Sequence, residues 1–217
     1  MDQYINRLKQ KTPIEKNQYF LELTRQEITL AKFKKTQLDF YDAVIFFTKP
    51  MFVIASKLNS YKQRLIILNN IMDEHGDGEL SQTHGETFKQ YLLLLGVLEE
   101  EILNRKQNKA TKTFNELLLK KAKKRGTCFS LAMMGIIEDR YVGITNLLSE
   151  YLIKNKLLNK DKLIHYKIHK DLDIEHADSF YNLIRKDWSK PEKRSDIEKG
   201  LVFGNNLILN LYSNFCI

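Results

Sequence analysis

The stretch His169-Lys170-Asp171-Leu172-Asp173-Ile174-Glu175-His176 carries three side chains of the kinds that bind metal ions, and the rest of the chain is interpreted outward from it. In an α-helix, which turns by about 100° per residue, Asp173 lies about 40° from His169, and His176 lies about 20° from it on the other side. The three side chains therefore share one helix face. Imidazole nitrogen and carboxylate oxygen together suit iron, manganese or zinc. The alternative is a solvated helix face, since most of the intervening residues are charged.

Composition favours one all-α domain that spans residues 1–217. Hydrophobic residues make up 43% of the chain, which is enough to bury a sizeable core. Gly (9) and Pro (3) are scarce, so few turns interrupt the many residues that favour helices. We therefore expect a single bundle of long helices.

The net charge of +8 raises the question of a nucleic-acid partner. The densest basic run, Lys120–Arg125, ends a predicted helix, where cations offset the helix dipole. The 27 acidic residues are spread along the whole chain. We therefore expect no nucleic-acid partner.

The cysteines and the N-terminal residues favour a cytoplasmic protein. Cys128 and Cys216 lie far apart and form neither a CxxC motif nor a disulfide framework, so a reducing compartment is the simplest one. The N-terminal residues lack the basic-then-apolar pattern of a signal peptide, and no apolar run is long enough to span a bilayer. We expect no membrane partner.

Capping residues and breakers divide the chain into helical segments. Thr12-Pro13, Ser60 and Thr83 each precede a helical pattern with Glu or Gln near its first turn, which is typical of a helix start. Thr29 precedes another helix, which Pro50 interrupts. The sequence predicts helices at 13–26, 30–49, from 50 through 54, at 61–75, at 84–96, in two pieces between 98 and 124, and at 127–153.

Glu138 lies within the predicted helix 127–153, which is apolar on most sides and is therefore expected to be buried. An ionised glutamate in such a setting costs several kcal/mol unless a partner compensates its charge. The adjacent Asp139 and Arg140 point to other faces of the helix. Glu138 therefore needs a partner, unless it is a surface residue beside a narrower apolar stripe.

Ligand-type residues from four helical segments lie beside apolar positions that would face a bundle core. Three carboxylates and three histidines can hold two metal ions between facing helices, although the ferritin-like pair of Glu-x-x-His motifs is absent. These six residues are Glu74, His84, Glu138, His169, Asp173 and His176.

With these residues the sequence resembles the heme-oxygenase-like dimetal oxidases, a family of iron-containing redox enzymes. The segment Leu68–Glu74, followed by glycines and His84, is similar to the family's Asn-Leu-x-Asp-Glu…His segment. Glu138 matches the isolated glutamate of the next core helix, and the stretch quoted first matches the closing His-x-x-x-Asp-x-x-His motif. The resemblance covers residues 10 to 185 approximately. The TenA thiaminases and pyrroloquinoline-quinone synthase, which share the fold without the metals, are more distant relatives.

The resemblance implies a heme-oxygenase-like bundle of about 7–9 helices, with all six residues as metal ligands. It implies two iron ions, or one iron and one manganese, with O₂ as co-substrate and an external reductant. The substrate would be a small organic molecule such as an amino acid or a fatty acid, and a homodimer stays open. Because the loop before His84 is longer than in relatives, Asp77 or Glu79 is an alternative to Glu74 as the first carboxylate ligand.

Two further functions stay open. Some members of the family resemble self-sacrificing p-aminobenzoate synthases of folate biosynthesis, which consume one of their own tyrosines. Phe20 stands at the matching position here, so Tyr19 and Tyr41 join Glu138 as the candidate catalytic residues. The other function is that of a non-catalytic module that binds a partner or acts on a host.

For the substrate pocket we expect a lining of Phe40, Tyr41, Phe47 and Met134.

Overall fold

The computed structural model describes residues 1–159, 161 and 164–216, and for residues 164–171 and 216 it describes the backbone alone. This part of the chain is helical and contains no β-strand, which confirms the all-α class. Nine of the helices in it have ten or more residues, and two are shorter. The helices are α1 (Asp2–Lys11), α2 (Gln18–Thr24), α3 (Leu30–Val44), α4 (Thr48–Lys57), α5 (Tyr61–Glu74), α6 (His84–Leu94), α7 (Glu99–Leu103), α8 (Lys109–Lys124), α9 (Thr127–Lys154), α10 (Ile164–Ile184) and α11 (Pro191–Ser213).

Polar side chains cap the predicted helix starts. Thr29, Thr83 and Asn108 each accept a hydrogen bond from a backbone N–H in the first turn of α3, α6 and α8, respectively. Each bond satisfies a donor that has no partner within the helix. Ser60 precedes α5 as predicted, but its side chain makes no capping hydrogen bond. No helix of the described residues is long and apolar enough to cross a membrane.

The N-terminal region differs from the prediction. Helix α1 precedes the segment where the first helix was expected, and that segment is divided into a 3-10 turn, Ile14–Lys16, and helix α2. Asn17 makes the division, because its side chain accepts a hydrogen bond from the N–H of Tyr19 at 3.1 Å and donates one to the carbonyl of Leu209 at 2.9 Å. These bonds hold Asn17 in an extended conformation.

Helix α9 runs through the centre of the bundle and packs against α10 and α11. Two glycines set how closely these helices approach. A Cβ atom at Gly204 of α11 would lie 2.5 Å from the carbonyl oxygen of Met133, and a Cβ at Gly135 of α9 would lie 2.7 Å from the ring of Tyr181. Larger residues at these positions would push the helices apart.

The turn between α5 and α6 brings the end of one helix and the start of the next to the same part of the core. Gly76 and Gly78 adopt φ angles of 61° and 93°, which favour glycine, and Asp77 between them has a φ of 53°. Helix α10 contacts α5, α6 and α9. Side chains from these four helices therefore meet in the core.

Candidate metal centre

Glu74 is the last residue of α5, and its side chain is buried in the core. The α5–α6 turn directs the neighbouring acidic residues outward, so that Asp77 and Glu79 are exposed. Of the three carboxylates considered for the first position, Glu74 is therefore the one that faces the other candidate residues.

His84 is the first residue of α6 and is 7% exposed. Its Nδ1 atom forms a hydrogen bond with Oε2 of Glu74. The contact joins a residue at the C-terminus of α5 to one at the N-terminus of the next helix, across the glycine turn.

Glu138 lies in the middle of α9 and is 3% exposed. Its neighbours do face elsewhere: Arg140 donates to the carbonyl of Thr12, and Asp139 pairs with Lys9. Among the described residues, no lysine or arginine forms an ion pair with Glu138. Within the described part of the chain, its compensating partner is therefore not a permanent cation.

Helix α10 supplies Asp173 and His176, each 1% exposed. Nδ1 of His176 lies 3.7 Å from Oε1 of Glu74 and 3.7 Å from Oε1 of Glu138. Neither Oε1 of Glu138 nor Nδ1 of His176 has a hydrogen-bond partner among the described residues. His169 belongs to the same helix, but its side chain lies outside the described residues.

Five of the six predicted ligands thus come together in one buried cluster. Ligand atoms of Glu74, Glu138 and His176 all lie within 4.8 Å of one another, a spacing that suits a shared metal ion. The cluster is formed by Glu74, His84, Glu138, Asp173 and His176.

Burial and mutual charge shift the protonation equilibria of the cluster. Burial raises the pKa of Glu138 and that of Asp173, each to about 7. Burial alone would lower the pKa of His176, but the facing carboxylates of Glu138 and Glu74 raise it to about 10. For His84, Glu74 likewise outweighs burial and raises the pKa. In the absence of metal, protons on the histidines therefore balance the carboxylates.

Asp73 is a site residue that the sequence analysis did not single out. Its Oδ2 accepts a hydrogen bond from Nε2 of His176 at 3.1 Å. A carboxylate that accepts from one imidazole nitrogen fixes the ring and leaves the other nitrogen free to bind metal. The two residues are 103 positions apart, and the sequence signals are that Asp73 adjoins Glu74 and stands at the Asp of the family's Asn-Leu-x-Asp-Glu segment.

An apolar cavity of about 30 Å³ reaches the cluster at His84 and Glu138. We call this space the inner cavity. Its wall includes Phe40 and Phe47, as expected, whereas the expected Tyr41 and Met134 do not line it. The rest of the wall is almost entirely apolar and includes Val44, Phe114, Ile137, Tyr141 and Ile208.

The two candidate tyrosines occupy different environments. Tyr19 is buried, and its hydroxyl forms a hydrogen bond of 2.8 Å with Thr36. Its ring centroid lies 5.5 Å from that of Tyr212, which lies 5.6 Å from the ring of Phe40 in the cavity wall. Tyr41 is half-buried and outside the wall. Tyr19 is thus linked to the inner cavity through a chain of aromatic rings.

Residues 37–203 match the family of proteins described as iron-containing redox enzymes. The chain belongs to this family. The matched range contains the whole cluster and most of the cavity wall, so the resemblance noted from the sequence motifs is confirmed. No match is found among curated proteins.

Solved structures of other proteins share the fold of this chain. A CADD-like protein of unknown function from Nostoc punctiforme is 15% identical, with a TM-score of 0.81 and coverage of 99% of this chain and 94% of that one. A domain with a heme oxygenase-like fold from Shewanella denitrificans is 14% identical, with a TM-score of 0.80 and coverage of 99% and 90%. A TenA homologue from P. horikoshii is 17% identical, with a TM-score of 0.67 and coverage of 99% and 97%. The chain therefore has the heme-oxygenase-like fold that the motifs predicted.

Proposed function

We propose that the protein is a non-heme oxidase that holds two metal ions, either two irons or one iron and one manganese, and uses O₂ to oxidise a small organic substrate. The observation that carries this proposal is the buried cluster of three carboxylates and two histidines from four helices. The membership of a family of iron-containing redox enzymes supports iron as the metal.

The chemistry of the cluster fits divalent iron or manganese. Carboxylate oxygen and imidazole nitrogen are the ligands that these ions accept. Oε1 of Glu138 and Nδ1 of His176 have no hydrogen-bond partner among the described residues, and they face each other at 3.7 Å. With neutral histidines, three ionised carboxylates exceed the charge of one divalent ion by one, which supports the binding of a second ion.

The residues around the cluster have separate roles. Glu74, His84, Glu138, Asp173 and His176 would hold the metals, and Asp73 orients the imidazole of His176. The apolar wall of the inner cavity separates this side of the cluster from bulk water. Bound iron would supply the O₂-binding positions and the redox chemistry, with electrons from an external reductant.

Metal content tests the proposal. After anaerobic reconstitution with ferrous iron, elemental analysis should find more than one equivalent per chain, and His84→Ala and His176→Ala should each lose most of it. The matched control is His75→Ala, because His75 directly follows α5, is exposed and lies outside the cluster. Less than about a tenth of an equivalent in the wild type would refute the metal site and favour a non-catalytic, partner-binding module.

A second candidate function is self-sacrificing p-aminobenzoate synthesis, and the aromatic chain from Tyr19 through Tyr212 to Phe40 is the observation that favours it. If Tyr19 is consumed, the intact mass should fall after reaction with iron, O₂ and reductant, and p-aminobenzoate should be released. Tyr19→Phe should abolish both changes, while Tyr41→Phe should leave them. An unchanged mass together with O₂ consumption would favour an external substrate.

A further inference from the structure

The inner cavity is too small for an organic substrate. A water molecule needs at least about 10–15 Å³ of the same kind of volume, so 30 Å³ holds about two waters or one O₂ molecule. A substrate with several carbon atoms can reach Glu138 only if part of the wall moves.

A much larger groove lies directly outside one part of this wall. The groove has a volume of about 450 Å³ and runs between α8 and α11. We call it the outer groove. Phe114 of α8 is the only described residue that lines both the outer groove and the inner cavity, so its side chain is the partition between them.

Phe114 makes fewer aromatic ring contacts than Phe40, another residue of the cavity wall. Phe40 packs against the rings of Phe88, Tyr141 and Tyr212 at centroid distances of 5.5–5.9 Å. Phe114 is buried, yet it makes no ring contact with a described aromatic residue. A change of rotamer at Phe114 therefore breaks none of these ring contacts, whereas a change at Phe40 breaks three.

The two spaces also differ in polarity. Apart from His84 and Glu138 of the cluster, the wall of the inner cavity is almost entirely apolar. The outer groove carries asparagine side chains and Lys109 but no acidic residue. A molecule that spans both spaces would place an apolar arm inside and a polar, preferably anionic, head in the groove.

We propose that Phe114 is the gate between the outer groove and the metal cluster, and that it selects substrates with a slender apolar arm and a polar head. The inference rests on the proposed function, because it assumes that the substrate reacts at the cluster. Phe114 lies outside the ligand set, so its substitution should leave metal content unchanged.

Binding of simple amphiphiles to the metal-free protein tests the gate. In a series of linear carboxylates from butanoate to decanoate, measured by calorimetry, affinity should rise by about fourfold per added methylene as the chain enters the apolar cavity. Octanoate should bind more tightly than octanol, and octanol more tightly than octylamine, because Lys109 is the charged side chain in the groove. The reverse order would overturn the assignment of the head group to the groove.

Variants of phenylalanine identify the residue that gates entry. Phe114→Leu should accelerate octanoate association in stopped-flow measurements, and Phe114→Trp should slow it. Phe33→Leu is the matched control, because Phe33 is equally buried but lines neither space. Equal effects in Phe33→Leu and Phe114→Leu, or an effect confined to Phe47→Leu on another part of the cavity wall, would overturn the proposal.

Metal analysis of the same variants separates the two proposals. If the wild type binds iron but no amphiphile enters past Phe114, the gate is wrong and the proposed function stands. If amphiphiles enter but no metal binds, the proposed function is wrong and the gate serves an apolar binding pocket.

Discussion

The substitution Glu138→Gln distinguishes a metal ligand from a structural carboxylate. In the metal-free protein the carboxylate is buried and faces His176 at 3.7 Å, with no lysine or arginine paired to it among the described residues. Glutamine keeps the shape of the side chain but removes its charge. The expected effect on the metal-free protein follows from the protonation equilibria of this pair.

The pKa shifts of Glu138 and His176 act on stability in opposite directions. Burial raises the pKa of Glu138 from 4.5 to about 7, so keeping it ionised above pH 7 costs about 3 kcal/mol. For His176, Glu138 and Glu74 outweigh the effect of burial and raise the pKa from 6.5 to about 10. A raised histidine pKa stabilises the fold below pH 6.5, and this stability is lost only as the pH rises through 10, so about 3 kcal/mol remains near pH 7.5. Glutamine removes the cost at Glu138 but only part of the gain at His176, because Glu74 and Asp73 still raise the pKa of that ring. We therefore expect the metal-free variant to be as stable as the wild type or slightly more stable.

Thermal melts with and without anaerobic ferrous iron measure the difference. At a metal concentration of about 100 times Kd, binding adds about 2.7 kcal/mol, which raises Tm by roughly 5–10 °C in a chain of this size. Glu138→Gln should lose most of this rise, whereas Glu150→Gln, an exposed glutamate on the same helix, should keep it. A loss of about 3–5 kcal/mol in the metal-free variant would show instead that Glu138 balances a buried lysine or arginine, and it would refute the ligand role.

Three other substitutions test the support of the site and of the fold. Asp73→Ala should lower metal affinity by about 10–100-fold in a ferrous titration, because His176 loses the acceptor that orients it, while Asp77→Ala on the same surface should have no effect. Gly204→Ala should lower the free energy of unfolding in urea by about 1–3 kcal/mol, because the new methyl group would lie 2.5 Å from a carbonyl oxygen of α9. An unchanged urea midpoint would show that α11 shifts without cost. Lys57→Ala should lower the free energy of unfolding by about 1 kcal/mol, because the ammonium group donates to three carbonyls at the C-terminal end of α8 at 2.5–3.0 Å. Equal urea midpoints would mean that water replaces the ammonium group.

Local patterns in the sequence determined much of the fold and the composition of the site. Thr29 and Thr83 mark helix starts, because a cap depends only on the residues of the first turn. The apolar surroundings of Glu138 predicted a buried helix, and α9 is buried around this residue. The spacing of Asp173 and His176 placed both on one helix face, and both side chains are buried in the cluster.

Local patterns failed where a single polar contact overrides them. The predicted first helix is divided at Asn17, whose side chain caps α2 by accepting from the N–H of Tyr19 and also donates to a residue of α11 that is 192 positions away. No feature of the segment itself indicates that partner. Tertiary contacts of this kind commonly override local propensity.

Only the tertiary structure decided which of several similar residues belong to the site. It turned Glu74 inward and Asp77 outward, through a turn with positive φ angles, and it joined Asp73 to His176 across 103 positions. It also placed Phe114 between the outer groove and the cavity beside the cluster. The physical reason is that helix periodicity states only that a residue faces inward. Which inward-facing residues meet depends on how helices cross, and the crossing is set by close packing of side chains from distant parts of the chain.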